Sequence, residues 1–297
     1  MTLLERLQQM PTQGVALAHT SSTGGFVRYR ELNGVRSHLI SAMGQNKYDL
    51  SPFVLLHGIG SGSGSWIEQL CDPHLGRVLA WDAPGYADST PLPKNAPVAH
   101  DYAAQLWAWL DALQISEVHL VGHSLGCIMA ASAARMYSGR IRSLTLLAPA
   151  QGYGSASAQV RQQKRDERLQ AMKELGLKKM AEQRAPRLLS PNARPSQVEL
   201  ATHMMSHLNE GGYTQATQML GHANIRADLT AFQSASTAPI GIACGDLDVI
   251  TPPEACKALA EYFGVPYTSL ASAGHVCALE APQSVNQLLL SQGRFHE

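Results

Sequence analysis

Two hydrophobic rhythms alternate along this chain from residue 53 onward. Short runs apolar at nearly every position are separated by longer stretches in which apolar residues recur every three or four positions. The runs are FVLLH (53–57), RVLAW (77–81), EVHLV (117–121), SLTLLA (143–148) and IGIAC (240–244), with a weaker sixth, PYTSL (266–270). Continuous apolar runs of this length predict strands covered on both faces, as parallel strands are. The helical periodicity falls at 98–113, 125–137, 253–263 and 281–292. Strands alternating with helices predict an α/β fold built on a mostly parallel, doubly covered sheet. Upstream, FVRYREL and VRSHLI flank Asn33-Gly34 with apolar–polar alternation, which predicts an N-terminal β-hairpin. Residues 1–25 read as an extension, a short amphipathic helix (Leu3, Leu4, Leu7, Met10) followed by a Gly/Ser/Thr-rich linker.

One interval breaks the rhythm. Between Pro149 and Ala238 the chain runs far longer than a single crossover, through a highly charged helical stretch (158–185) and a Met/His-rich one (198–208). A structureless loop of that length is not expected in a compact domain. The pattern predicts a helical lid inserted over 151–212, with the α/β core formed by 26–150 and 213–297.

Composition narrows the partners. The chain has 297 residues with 23 Lys plus Arg against 23 Asp plus Glu, so no net field attracts a phosphate backbone and no nucleic-acid partner is expected. Charged residues are 15% of the total, below the usual ~25%, which fits a large core. The five cysteines (Cys71, Cys127, Cys244, Cys256, Cys277) form no C-x-x-C pair, so neither a disulfide framework nor a zinc ribbon is expected. The first residues hold Glu5 and Arg6 and no apolar run, unlike a secretory signal, and no stretch approaches the ~20 apolar residues of a membrane span. These features predict a cytoplasmic protein with no membrane partner. They leave its oligomeric state open.

The candidate chemistry lies at the carboxyl ends of the predicted strands, where open α/β sheets bind ligands. After FVLLH comes Gly58-Ile59-Gly60-Ser61-Gly62, a loop able to present backbone N–H groups. After EVHLV comes Gly122-His123-Ser124-Leu125-Gly126. Glycines on both sides of Ser124 remove the Cβ atoms that would obstruct a sharp, strained turn from strand to helix. The serine hydroxyl then stands at a helix amino end, where negative charge is stabilised. After IGIAC comes Gly245-Asp246-Leu247-Asp248, and after PYTSL comes Gly274-His275. Each residue alone has an ordinary explanation, as a cap, a turn or a core histidine. A hydroxyl, a carboxylate and an imidazole at three ends of one sheet point together to nucleophilic catalysis.

With HGIGSG (57–62), WDAPGYADS (81–89), GHSLG (122–126), GDLDVITPP (245–253) and AGHVCALEAP (273–282), the chain resembles the α/β-hydrolase family over nearly all of residues 26–292. The insert and DLDVITPP most resemble the 3-oxoadipate enol-lactonase group and its carboxylesterase relatives. The resemblance implies Ser124 as nucleophile, His275 as base, and Asp248, three residues after Gly245, as the acid in place of Asp246. It further implies an oxyanion hole formed by the backbone N–H groups of Ile59 and Leu125, with no metal and no organic cofactor. The implied reaction is cleavage of a carboxylic ester or lactone through an acyl-enzyme. The alternatives are C–C cleavage of a ring-cleavage dienoate, cofactor-free perhydrolysis, and ligand binding without turnover.

Other residues have plainer readings. Cys127 reads as a packed small residue, His57 and His123 as structural neighbours, Asp82 as the opening of the Pro84-Gly85 turn, and the four tryptophans as packing. His203 and His207 have metal-like i, i+4 spacing but no third ligand. Arg161, Arg165 and Arg168 share one face of the 158–185 helix and could pair with a substrate carboxylate. Lys164, Asp166 and Glu167 make that stretch charged all round, as a solvated helix is.

Overall fold

The structure is a computed structural model that describes residues 2–8, 27–32, 35–43 and 51–293, with backbone alone for 27–32, 35–43 and Gly293. Among them, β1 (Val27–Leu32), β2 (Val35–Met43), β3 (Phe53–Leu56), β4 (Arg77–Trp81), β5 (Val118–His123), β6 (Ile141–Leu147), β7 (Ile240–Gly245) and β8 (Tyr267–Leu270) form one sheet. Its order is β1-β2-β4-β3-β5-β6-β7-β8. The six apolar runs are β3 to β8, and all of them pair in parallel. The two upstream segments pair antiparallel with each other, and β2 pairs antiparallel with β4. Asn33 and Gly34, between those strands, and Met10, from the predicted first helix, lie outside the described residues.

The helices are α1 (Leu3–Gln8), α2 (Ile67–Leu70), α3 (Ala99–Ala112), α4 (Leu125–Met136), α5 (Ala158–Arg184), α6 (Pro195–Ser206), α7 (Glu210–His222), α8 (Ile225–Ala235), α9 (Pro253–Phe263), α10 (Cys277–Glu280) and α11 (Pro282–Gly293). Helices α3, α4 and α8 pack against one another on one side of the sheet, and α2, α10 and α11 form a second group. Every residue of β3, β5 and β7 is buried, the physical counterpart of runs with no polar alternation. No helix among the described residues is long and apolar enough to cross a membrane.

The strand order places the site. From β3 the chain moves outward to β4, then returns past β3 to β5 and continues to β8 on the other side. Loops leaving the carboxyl ends of β3 and β5 therefore diverge, and the crevice between them is where such sheets bind ligands.

The long interval between β6 and β7 folds into α5 to α8. Gly176 breaks α5 with φ +69°, a left-handed conformation that glycine adopts freely. Helices α5, α6 and α7 pack together, whereas α8 lies on α4 in the core layer. Helix α7 starts two residues before the boundary placed at 212. It approaches the core at Gly85 (φ +82°), where an added Cβ would stand 2.6 Å from the Gly212 Cα atom.

Candidate active site

Ser124 terminates β5 and caps α4 with φ +52° and ψ −115°, a strained conformation for a residue with a side chain. The surroundings over-determine it. Its N–H donates to the Leu147 carbonyl of β6 at 2.9 Å, and its own carbonyl accepts from the N–H groups of Cys127 (3.0 Å) and Ala150 (3.2 Å). The flanking glycines are required by contact. A Cβ on Gly126 would stand 2.1 Å from the Leu56 carbonyl oxygen, and one on Gly122 would stand 2.6 Å from the Cys127 N atom. Cys127, fully buried, donates its thiol to the Gly122 carbonyl at 3.1 Å and so tightens the same turn.

Asp248 and His275 meet at the neighbouring strand ends. Gly245 makes this possible: a Cβ there would stand 2.2 Å from the Ala273 carbonyl, so only glycine lets the two loops cross. His275 Nδ1 lies 2.8 Å from Asp248 Oδ2, and both side chains are buried. A carboxylate only accepts, so Nδ1 carries the proton and Nε2 is left as a base. The other Asp248 oxygen accepts from the N–H groups of Ile250 (2.7 Å) and Thr251 (3.0 Å). The Thr251 hydroxyl donates to Oδ2 at 2.7 Å and stands 3.2 Å from His275 Nδ1. Burial alone would raise this carboxyl's pKa; the His275 and Thr251 hydrogen bonds outweigh it and hold the group at about 2. Asp246, the other acidic residue of this loop, is exposed.

Ser124 and His275 line one cavity of about 600 Å³, with Gly58, Ile59 and Leu125 beside them. No hydrogen bond joins the serine to the imidazole; such contacts commonly tighten only around substrate. The backbone N–H groups of Ile59 and Leu125 have no acceptor among the described residues. Two free donors beside a buried hydroxyl are what a developing oxyanion requires.

A set of buried groups holds this geometry, and several of their partners lie too far along the chain for motif reading to pair them. His57 donates from Nδ1 to the Gly58 carbonyl at 2.8 Å and accepts the Ala83 N–H on Nε2 at 3.0 Å. The Tyr86 hydroxyl donates to the Ile59 carbonyl at 3.0 Å, so the loop after β3 is gripped at two successive peptides. His123 donates from Nε2 to the His275 carbonyl at 2.7 Å. Burial and the neighbouring His275 push its pKa down to about 3, so it stays a neutral donor. Glu280 accepts the Gly274 and Ser190 N–H groups at 3.0 and 2.7 Å, tying the histidine loop to the inserted segment. Asp82 acts beyond its own turn: its carboxylate takes the Ser63 N–H and hydroxyl at 2.7 and 2.9 Å. Gly60, Gly62 and Gly64 leave room for Met204 and Met205 of α6 to close over the loop.

The remaining candidates disperse. His207 Nδ1 donates to the His203 carbonyl at 2.8 Å, a local bond within one helical turn. Of the three arginines predicted on one face, only Arg168 lines the cavity. Arg161 turns back to the Gly154 and Ala156 carbonyls, and Arg165 pairs with Asp166 at 2.8 Å. Arg184 and Arg187, from beyond the Gly176 break, join the wall instead.

Residues 51–282 match the family described as alpha/beta hydrolase fold, and the chain belongs to that family. Over 254 residues it is 28% identical to the dihydrolipoyllysine-residue acetyltransferase component of an acetoin cleaving system from Pseudomonas putida. The match covers 83% of this chain but 64% of that relative's length, less than two thirds. Among solved structures, a thermophilic esterase from Thermogutta terrifontis, with malate bound, superposes with TM-score 0.74 at 23% identity, covering 91% of this chain and 97% of the other. The enol-lactonase from Burkholderia xenovorans LB400 superposes with TM-score 0.75 at 21% identity, covering 88% and 97%.

Proposed function

We propose that this chain is a serine hydrolase that cleaves a carboxylic ester or lactone of a small molecule. The observation that carries the reading is the Asp248–His275 pair, buried and 2.8 Å apart, whose imidazole lines one cavity with a strained Ser124 and two unpaired N–H donors. In this reading His275 Nε2 takes the Ser124 proton as the hydroxyl oxygen attacks the acyl carbon. The Ile59 and Leu125 N–H groups hold the oxyanion; one such donor is typically worth ~3 kcal/mol in the transition state. His275 then protonates the leaving oxygen, and water activated by the same nitrogen releases the acid. Residues 151–212 act as the lid, since α5 and α6 supply much of the wall of the cavity that Ser124 lines.

The test is a fluorophosphonate probe together with hydrolysis of p-nitrophenyl acetate. Wild type is labelled and turns over the ester, and Ser124→Ala does neither while keeping its fold by circular dichroism. Labelling that persists in the variant, at any other serine, overturns the assignment.

A further inference from the structure

We propose that Leu7, in the short helix α1, is a positioning residue that sets how long an apolar arm the cavity accepts, by pinning Met204 against the loop after β3. The inference rests on the hydrolase reading above and narrows it to esters or lactones with a short apolar arm.

The first observation is that α1 is a built element. Thr2 and Glu5 cap it reciprocally: the Thr2 N–H donates to the Glu5 carboxylate at 2.7 Å, and the Glu5 N–H to the Thr2 hydroxyl at 3.1 Å. A helix of six residues is still too short to persist alone in water, so packing must hold it. Leu3 and Leu7, one turn apart, are both buried. The helix docks on α2 of the core and on α6 of the lid. Glu68 of α2 sits at the junction, 3.2 Å from Arg6 of α1 and 3.9 Å from Arg194, the residue before α6. Partly exposed ion pairs of this kind add little energy, so the two leucines do the holding and the charges fix the register.

The second observation is where Leu7 lies. A Cβ on Gly64 would stand 2.6 Å from Leu7 Cδ2 and 3.0 Å from Met204 Sδ, so both side chains fill the room this glycine leaves. A Cβ on Gly62 would stand 3.7 Å from Met204 Sδ, and one on Gly60 would stand 2.8 Å from Met205 Cε. Three alternate glycines of one loop thus receive Met205, Met204 and Leu7 in turn. Met204 and Met205 line the cavity, whereas Leu7 does not and stands behind Met204.

The third observation concerns what a methionine wall needs. A thioether chain is unbranched and turns about three bonds, so it moves wherever space is offered. Met205 is buried, with the Gly60 backbone behind it. Met204 is only half-buried, and the side chain that backs it comes from the far end of the chain. While Leu7 is in place Met204 cannot withdraw. With Leu7 truncated, Met204 can fold back into the vacated space, and the cavity deepens toward α1. All four residues that α6 gives the cavity, Leu200, Ala201, Met204 and Met205, are apolar, so the arm lying against them is hydrocarbon.

The experiment measures kcat/KM on two pairs of esters. p-Nitrophenyl acetate and p-nitrophenyl octanoate differ in the acyl arm; ethyl acetate and octyl acetate differ in the alcohol arm. Wild type is expected to favour the short ester in at least one pair. Leu7→Ala is expected to raise the long-to-short ratio of that pair by about tenfold, through KM of the long ester, as a methylene-sized change in an apolar pocket does. Leu7→Met, which refills the space, should restore the wild-type ratio. Met204→Ala should also raise it, and adding Leu7→Ala should change it little further, because both act through one side chain. Should Leu7→Ala not fold, Leu7→Val carries the same comparison with a smaller change. Calorimetric titration of Ser124→Ala and of Ser124→Ala/Leu7→Ala with the two long esters reads the pocket without turnover. Binding about tenfold tighter in the double variant supports the pinning even if the hydrolase reading fails. A folded Leu7→Ala protein that leaves both ratios unchanged, or slows long and short esters alike, overturns the pinning and leaves the hydrolase reading standing. A wild type that prefers the long ester in both pairs overturns it too.

Discussion

Replacing Asp248 by asparagine changes almost nothing in shape, and for that reason it isolates what the carboxylate does. Five donors converge on it: the N–H groups of Ile250 and Thr251 on Oδ1, and on Oδ2 the Thr251 hydroxyl, His275 Nδ1 and, at 3.6 Å, the Cys244 thiol. The two backbone donors cannot reverse, so an amide must turn its oxygen toward them. Its NH2 group then faces His275 Nδ1, and donor would meet donor. The imidazole escapes by moving its proton to Nε2, the nitrogen that takes the Ser124 proton in the proposed reaction. The same tautomer error in a well-studied triad costs about 10⁴ in kcat. At about 1.4 kcal/mol per tenfold, that is a barrier increase of about 5 kcal/mol. Asp246 is exposed, and its asparagine variant is expected to stay within about twofold of wild type, as surface changes of ~0.5 kcal/mol do. Steady-state hydrolysis of p-nitrophenyl acetate by both variants, each checked for fold, decides the matter. A larger loss in Asp246→Asn, or an Asp248→Asn enzyme within tenfold of wild type, refutes the reasoning.

Three further outcomes follow from the same geometry. Gly126→Ala drives a methyl into the Leu56 carbonyl and should cost about 3 kcal/mol in urea unfolding, whereas Gly139→Ala, with open space around it, should cost less than about 1; similar losses would contradict the contact argument. His123 has a folded pKa near 3 against an ordinary value of about 6.5, so between those values the unfolded chain takes up a proton that the native one refuses. Stability is therefore expected to fall as pH drops below about 6.5, and calorimetry near pH 5 should show His123→Phe taking up about one proton fewer on unfolding than wild type. Tyr86→Phe frees the Ile59 carbonyl and should lower kcat by up to about tenfold, the worth of one hydrogen bond; an unchanged kcat would mean the loop needs no such anchor.

What the amino-acid order determined by itself was local. Continuous apolar runs demand cover on both faces, and β3, β5 and β7 received it at every residue, because a buried strand has no solvent side on which to place a polar residue; the weaker run of β8 stays partly exposed. The glycines around Ser124 announced a sharp turn because a backbone approach within van der Waals distance admits no Cβ. The tertiary structure decided everything that depends on side chains meeting across the chain. His123 reaches the His275 carbonyl 152 positions away, and Glu280 reaches Ser190 across 90. Periodicity carries no information about such partners. The arginines show the same boundary most plainly. Arg161, Arg165 and Arg168 precede the break at Gly176 on one continuous helix, but the face that lines the cavity runs through Lys164, Glu167 and Arg168. Beyond that break Arg184 also lines the cavity, while Arg161 and Arg165 are satisfied by their own neighbours. Spacing specifies a face only while the helix continues, and which face meets the cavity is set by packing of the whole molecule.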